Sequence, residues 1–363
     1  MLLVNSPRTW RRPGILTLSA AMVLFVMVTI TVQTIAQKSR GGRVITFDAP
    51  GAGRESGQGT VPRSINANGE ITGELYDQYA AVHGFLRSAD GSIKTFDVPG
   101  ASKGEGQGTF SESINSRGEI AGFYYDASGP EVHTRGFVRD VSGSIKTFDG
   151  GPKFGTIPIG IDARGEITGA YSSGGFFRTA YGAVRVFAVS KSVTVPKGIN
   201  ARGEITGWYQ DGNSVTHGFV RSAKGVINTF DVGQQLSTTP VSINSAGEIA
   251  GYYTISTSAI HGFVRAADGS ITPFDAGTDS STIPYGINVK GEITGAYYQA
   301  NSLVHGFVRD RRGNITTIDA PKAAMRFSGD GTTPQAINSN GEITGWYSDA
   351  NGVYHGFVRV PAK

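Results

Sequence analysis

The residues best suited to acid–base or metal chemistry are six histidines. Five of them open the same phrase, His-Gly-Phe followed by Val-Arg or Leu-Arg, at His83, His217, His261, His305 and His355. One histidine per repeat places equivalent side chains on separate structural units, too far apart to converge on one ion unless they line a common axis. Their place on the third strand of each unit puts them off that axis. We therefore expect local hydrogen bonds, and assign no metal ligand and no catalytic residue.

Glutamates recur with the same regularity. Each follows a turn glycine, at Glu70, Glu119, Glu166, Glu204, Glu248, Glu292 and Glu342. A catalytic pair of carboxylates needs two different environments, so that one group acts as acid and the other as base. The repeat instead gives these glutamates equivalent environments. This favours a role in closing the turn or in hydrogen bonds between units. Glycosidase-type chemistry is the alternative. No glycine-rich run opens a helix, and the chain contains no cysteine, so no cofactor is expected.

These residues belong to a long internal repeat. The phrase Ile-Asn-x-x-Gly-Glu-Ile-Thr/Ala-Gly starts at Ile65, Ile114, Ile161, Ile199, Ile243, Ile287 and Ile337, with Asp162 replacing asparagine in the third copy. Each copy is followed by the Gly-Phe phrase, and all but the last then continue with a segment such as Ile93-Lys-Thr-Phe-Asp. Short segments rich in Val, Ile, Thr, Phe and Tyr, separated by Gly, Asn and Asp, predict four β-strands per unit.

The two ends of the chain complement each other. The segment 44–48 (Val-Ile-Thr-Phe-Asp) precedes the first Ile-Asn phrase, whereas the last Gly-Phe-Val-Arg segment has no such segment after it. Pairing 44–48 with 356–360 completes the last unit and removes an open sheet edge. The prediction is an all-β fold: a seven-bladed β-propeller with four strands per blade, closed by pairing the N-terminal strand with the C-terminal strands.

The N-terminal region differs from the repeats. Arg8, Arg11 and Arg12 precede an uncharged apolar run, which predicts that residues 1–36 are a signal peptide or an uncleaved N-terminal membrane anchor. Residues 37–43 form a short linker, and residues 44–363 form the propeller. Three of the four net positive charges lie in the leader, so nucleic-acid binding is not expected. The expected location is secreted or in the cell envelope, with membrane contact only through an uncleaved leader.

In its Ile-Asn-x-x-Gly-Glu-Ile and His-Gly-Phe phrases, residues 44–359 resemble bacterial extracellular repeats of the HAF (His-Ala-Phe) type. Glycine here replaces the family's alanine after histidine, and Glu-Ile-Thr replaces its usual Gln-Val-Val. The resemblance implies an exported β-propeller-like domain and supplies no established catalytic residues.

Residues that break the repeat are the better guide to function. The longest connections (50–61, 99–110 and 320–334) and those joining second to third strands fall on one face, where a rigid scaffold presents loops for binding. The candidate ligand-binding residues on this face are Trp208, Trp346, Tyr76, Tyr125 and Tyr298. The alternative is that these aromatic side chains only cap the core.

The function expected from sequence is therefore that of an exported, non-enzymatic, monomeric propeller that binds a polysaccharide or a cell-surface protein on its long-loop face. Two alternatives remain. A glycan-active hydrolase or lyase requires an asymmetric cluster of carboxylate, histidine or tyrosine at the axis, and a purely structural cell-envelope protein requires no ligand.

Overall fold

The computed structural model describes residues 42–362, except 130, 152–154, 173, 192, 235, 257–258, 279–280, 300–301 and 326–328. The expected leader, 1–36, and residues 37–41 of the expected linker lie outside the described residues. Residues 44–361 form one compact unit. The described part of the chain consists of strands and turns, and none of it is a helix long and apolar enough to cross a membrane.

The strands, numbered in chain order, recur in sets of four. A leading strand, β1, spans Arg43–Phe47. The first strands of the sets are β2 Gly59–Ile65, β6 Thr109–Ile114, β10 Ile157–Ile161, β14 Thr194–Ile199, β18 Ser237–Ile243, β22 Ser281–Ile287 and β26 Thr332–Ile337. The second strands are β3 Ile71–Tyr76, β7 Ile120–Asp126, β11 Ile167–Tyr171, β15 Ile205–Gln210, β19 Ile249–Ser256, β23 Ile293–Tyr298 and β27 Ile343–Ser348. The third strands are β4 Val82–Arg87, β8 His133–Arg139, β12 Gly174–Arg178, β16 Thr216–Arg221, β20 Ala259–Arg265, β24 Val304–Arg309 and β28 Tyr354–Val360. The fourth strands are β5 Ile93–Phe96, β9 Ile145–Phe148, β13 Val184–Phe187, β17 Ile227–Phe230, β21 Ile271–Phe274 and β25 Ile315–Ile318.

Strands that follow one another in the chain lie side by side in antiparallel sheets. Five sheets have four strands each, in chain order, beginning at β6, β10, β14, β18 and β22. A sixth sheet has eight strands: β2–β5 follow one another, β26–β28 follow one another, and β1 pairs with β28. A single parallel bridge between Gly59 and Tyr354 joins its two halves. Neighbouring first strands contact one another, including β26 and β2.

The turn between first and second strands explains the repeated asparagine and glutamate. In the first repeat, Asn66 Oδ1 accepts the backbone N–H groups of Asn68 and Glu70, and Asn66 Nδ2 donates to Glu70 Oε2 at 2.7 Å. Gly69 has φ +81°, a left-handed conformation that a side chain would strain. The glutamate therefore closes its own turn.

The repeated histidine joins the third strand to a fourth strand. His83 Nδ1 lies 2.9 Å from Asp97 Oδ1, and the equivalent pairs are His217–Asp231, His261–Asp275, His305–Asp319 and His355–Asp48. In the second repeat Arg135 takes the place of histidine and binds Asp149. The last histidine pair joins β28 to the residue after β1, because Asp48 comes from the start of the chain.

Aromatic packing fills the space between neighbouring sheets. The phenylalanine of each third strand is fully buried, as Phe85 and Phe137 are. In six sets it meets edge-on a phenylalanine of the strand that precedes the set: Phe47 of β1 lies 6.2 Å from Phe85, and Phe96 of β5 lies 6.2 Å from Phe137. Such edge-to-face pairs add about 0.5–1.5 kcal/mol beyond their buried area. In the last set Ile318 of β25 belongs to the same buried cluster as Phe357, so an aliphatic side chain takes the place of the ring.

A buried threonine at the start of each first strand adds a polar link. Its hydroxyl accepts the backbone N–H that follows the preceding fourth strand, as Thr60 does for Ala49 at 2.9 Å and Thr109 for Val98 at 3.0 Å. The same bond recurs at Thr156, Thr194, Thr238, Thr282 and Thr332. The long loops are therefore shorter than the sequence indicated. They were expected to extend to residues 61, 110 and 334, whereas β2, β6 and β26 already begin at Gly59, Thr109 and Thr332.

A second polar link connects neighbouring turns. The amide of Asn66 donates to the carbonyl of Asn115 at 3.0 Å, and Asn338 donates to the carbonyl of Asn66 at 2.9 Å. The other members are Asn115 to Asp162, Asn200 to Asn244, Asn244 to Asn288 and Asn288 to Asn338. Between Asp162 and Asn200 the series is interrupted, because an ionised aspartate has no proton to donate.

Asp162 is therefore the weak position of this asparagine series. Its carboxylate is buried, and only the half-exposed Arg164 neutralises it, with Nε 3.1 Å from Oδ2. Burial raises the pKa of the neighbouring Glu166, and the Asp162 carboxylate adds to that effect while Arg164 opposes it.

We expect Asp162→Asn to stabilise the protein by about 1 kcal/mol, because the amide regains donors to Glu166 and to the carbonyl of Asn200. Urea denaturation measures the free energy of unfolding. The matched control is Asn244→Asp, which places a buried carboxylate against the carbonyl of Asn288 and should cost about 1–3 kcal/mol. A destabilising Asp162→Asn would contradict this account of the series.

Candidate functional site

Every first strand carries a β-bulge at the same position. In β2 the pairing register with β3 shifts between Pro62 and Ser64, which leaves Arg63 as the extra residue. The equivalent residues are Glu112, Ile159, Lys197, Val241, Tyr285 and Gln335. A bulge redirects a side chain out of the regular alternation of the strand. The flanking residues repeat, whereas the bulged residue differs in every copy.

These seven bulged residues surround one space, which we call the central channel. It has a volume of about 230 Å³ and is lined by the bulged residues together with the small residue and isoleucine that follow them. Ile159 and Val241 give it apolar sections, whereas Arg63, Glu112 and Lys197 give it charge. The central channel is therefore lined by different chemical groups in each repeat, although the rest of the repeat is regular.

A second space adjoins the channel and shares Arg63, Tyr285 and Gln335 with it. This mouth cavity has a volume of about 270 Å³ and is lined by Val61, Arg63, Tyr76, Tyr285, Tyr298, Val304, Gly329, Thr333, Gln335, Trp346 and Tyr354. Five of these residues lie on first strands, and another five lie toward the ends of second strands or at the starts of third strands, on the face expected to carry the long loops. Five of them are aromatic.

The aromatic rings of the mouth cavity support one another. Trp346 and Tyr354 pack edge to face with ring centroids 4.9 Å apart. Tyr298 hydrogen-bonds Tyr285, and burial is the main reason that the pKa of Tyr285 is raised. Burial also raises the pKa of Tyr76 to about 12, so that its phenol is neutral. The wall of the mouth cavity therefore offers apolar ring faces together with tyrosine hydroxyl groups that can form hydrogen bonds.

Arg63, which lines both the cavity and the channel, is held by an ion pair with the buried Glu74, which lines neither. Arg63 Nε donates to Glu74 Oε1 at 2.8 Å, and Nη2 contacts the same oxygen. Glu74 is fully buried in β3, and its other oxygen, Oε2, has no hydrogen-bond partner among the described residues. Glu74 occupies the position held by Trp346 in the last repeat, as the register of β3 and β27 shows.

Burial raises the pKa of Glu74 to about 7; Arg63 opposes this shift, and the carboxylate of Glu112 adds to it. Burial also raises the pKa of Glu112, against the attraction of Arg63 and Lys197. Carboxyl groups with displaced pKa values in an enclosed cluster are typical of binding and catalytic sites, although structural ion pairs show them too. Burial therefore brings the pKa of Glu74 closer to neutrality than that of an ordinary glutamate.

The structure brings together three of the five residues predicted from sequence. Tyr76, Tyr298 and Trp346 line the mouth cavity. Tyr125 instead packs edge-on against Phe110 at 5.9 Å, in a cluster with Phe123. Trp208 lies in β15 opposite Val195 and Gly218 and does not line the mouth cavity.

Sequence reasoning missed the bulged residues. Arg63, Glu112 and Lys197 lie two residues before the isoleucine of the repeated phrase. Their variability, between a repeated proline or serine and a repeated small residue, was the available signal. Other cavities exist, including one of about 450 Å³ beside His355 and Asp48. Among the described residues, no cluster of three or more His, Asp or Glu side chains is arranged to hold a metal ion.

No family model and no curated protein sequence matches the chain. Solved structures do match. The chain is similar to virginiamycin B lyase from Staphylococcus aureus (15% identity, TM-score 0.58), covering 88% of this chain and 99% of that one. It is also similar to the β-propeller domain of the Trilobed protease from Pyrococcus furiosus (10% identity, TM-score 0.59, 83% and 94% covered). A third match is the lectin BP39L from Burkholderia pseudomallei (8% identity, TM-score 0.51, 89% and 96% covered). At these identities the likeness shows the fold, which is a β-propeller.

The displaced pKa of Glu74 predicts a pH-dependent stability. Its pKa is about 7 in the folded protein, against 4.5 for an ordinary glutamate. Between these values the unfolded chain releases the proton and the folded chain keeps it, so the free energy of unfolding falls as pH rises, by at most about 3 kcal/mol. Above that window the contribution is constant.

Glu74→Gln should remove this slope, measured as the free energy of unfolding at intervals from pH 4 to pH 8. Glu119→Gln, which removes a turn carboxylate away from the cavity, is the control and should retain it. Identical slopes for the wild type and Glu74→Gln would contradict the assignment.

Proposed function

We propose that this chain is an extracytoplasmic, non-enzymatic β-propeller that binds a saccharide unit of a polysaccharide in the mouth cavity. The observation that carries the proposal is the convergence of Tyr76, Tyr285, Tyr298, Trp346 and Tyr354 on one concave space. Ligand sites are concave, largely apolar and supplied with a few polar groups that fix orientation.

The chemistry of the wall favours a sugar over a protein surface. A sugar ring presents C–H faces that pack on aromatic rings, and hydroxyl groups that accept or donate hydrogen bonds. Arg63, Thr333 and Gln335 supply polar groups beside the rings. A cavity of about 270 Å³ suits a single sugar unit better than the broad contact that protein partners require. The likeness to a lectin agrees with sugar binding as a use of this fold.

We also infer that the sheets form a closed ring of seven blades. The eight-stranded sheet then counts as two blades, β2–β5 and β26–β28 with β1, joined only by the bridge at Gly59. The pairing of β1 with β28, the bond from Asn338 to Asn66 and the contact between β26 and β2 support this inference. The last blade then depends on a strand from the opposite end of the chain.

Matched phenylalanine substitutions test the closure. Phe47 in β1 and Phe96 in β5 are both half-buried and make the same edge-on contact at 6.2 Å. If β1 is an integral strand, Phe47→Ala and Phe96→Ala should each lower the free energy of unfolding by about 2–4 kcal/mol. A much smaller cost for Phe47→Ala in urea denaturation would mean that the ring is open.

We propose an extracytoplasmic location because of the basic and apolar leader, residues 1–36, which lies outside the described residues. The resemblance to HAF-type repeats points to the same location. Fractionation of cells that express the full chain, followed by N-terminal sequencing, distinguishes a cleaved leader from a membrane anchor.

The ligand proposal is tested with a glycan array, followed by calorimetric titration of a glycan that binds. Trp346→Ala should weaken binding at least about tenfold, or about 1.4 kcal/mol, because it removes a ring from the cavity wall. Trp208→Ala is the control, since Trp208 does not line the cavity, and it should bind as the wild type does. Equal effects of the two substitutions, or no binding to any glycan, would overturn the proposal.

A second candidate is a glycan-active hydrolase or lyase. Arg63 and Glu112 line the channel, and Glu74 lies buried behind Arg63; a carboxyl group with a pKa of about 7 is suited to general acid–base catalysis. Release of shortened or unsaturated products from a bound glycan, lost in Glu74→Gln, would favour the enzyme over the binding protein.

A further inference from the structure

The central channel contains two opposite charges that do not neutralise each other directly. Glu112 and Lys197 are bulged residues of β6 and β14, and both line the channel. Within the described part of the chain, neither side chain makes a hydrogen bond or a direct ion pair. Arg63, by contrast, is bound to Glu74. The channel therefore presents one carboxyl group and one amino group that have no direct partner among the described residues.

The fold keeps these two groups apart. β10, with Ile159 at the equivalent position, lies between β6 and β14 in the order of neighbouring first strands. Burial raises the pKa of Glu112, which Arg63 and then Lys197 oppose, and lowers the pKa of Lys197, which Glu112 opposes. Both residues are half-buried, so their charged forms are partly removed from water and gain from a partner of opposite charge.

The channel that the two groups line is large enough for a ligand. The channel volume of about 230 Å³ far exceeds the ~10–15 Å³ that one water needs. A lone anion would satisfy Lys197 and leave Glu112 unpaired, whereas a lone cation would do the reverse. A molecule that carries both charges satisfies both groups at once.

We infer that the central channel binds a small zwitterion, with its ammonium group on Glu112 and its carboxylate on Lys197. Amino acids are the chemical class with this arrangement and size. The inference goes beyond the proposed saccharide binding, because it rests on the channel and does not involve Trp346, which lines the mouth cavity alone.

Amino acids of increasing charge separation test the inference. The full chain is titrated calorimetrically with glycine, β-alanine and γ-aminobutyrate, and with acetate and methylammonium as single-charge controls. We expect one or more of the zwitterions to bind and neither control to do so. Glu112→Gln and Lys197→Gln should each weaken binding at least about tenfold, since each removes one charged contact.

The charge exchange Glu112→Lys with Lys197→Glu separates recognition from misfolding. This double variant restores a channel with both charges in reversed positions, so it should recover binding that the single variants lose. Trp346→Ala should bind the zwitterion as the wild type does while losing the glycan, which distinguishes the two proposals. Absence of binding by all three zwitterions, equal binding of acetate, or no effect of Glu112→Gln would overturn the inference.

Discussion

The whole architecture depends on buried polar groups of one sheet being satisfied by the next. Thr60 and its equivalents hold the end of the preceding fourth strand, and the asparagine amides donate across neighbouring turns. A buried donor or acceptor without a partner costs about 1–3 kcal/mol, so no sheet is self-sufficient. The aromatic contact of Phe47 with Phe85 and its equivalents adds apolar packing at the same boundaries. Neighbouring sheets are therefore obligatory partners.

Because of this constraint, most positions of the repeat carry the same residue type in nearly every copy, and few positions vary. Isoleucine, asparagine, glutamate, threonine and phenylalanine each have a partner in the next turn, strand or sheet. The bulged residue of the first strand takes no part in these repeated links, because the bulge turns it away from the ladder, and any partner it has is particular to its copy, as Glu74 is to Arg63. Arg63, Glu112 and Lys197 occur at this position, as do Ile159 and Val241. These positions bring dissimilar side chains together around the central channel.

Much of the fold could be predicted from sequence because it is local and repeated. Four strands per unit, their order, and the strand 44–48 ahead of the first unit all follow from three recurring phrases. The candidate site was only partly predictable. Tyr76, Tyr298 and Trp346 meet because their strands end at one cavity, whereas Tyr125 packs with Phe110 and Trp208 lies elsewhere. The repeat pattern in the sequence predicts on which face of the protein each aromatic side chain lies. It does not predict how far apart aromatic side chains from different repeats are.

The interrupted asparagine series shows how much asymmetry the repeat tolerates. Asp162 loses one donor between neighbouring turns, yet its strand and turn keep the geometry of the others, with Asp162 Oδ1 still accepting from Arg164 and Glu166. The remaining links, the Thr194 bond and the Phe148–Phe176 contact, hold the third repeat between its neighbours. Because each boundary carries several independent contacts, the loss of one link leaves the others in place.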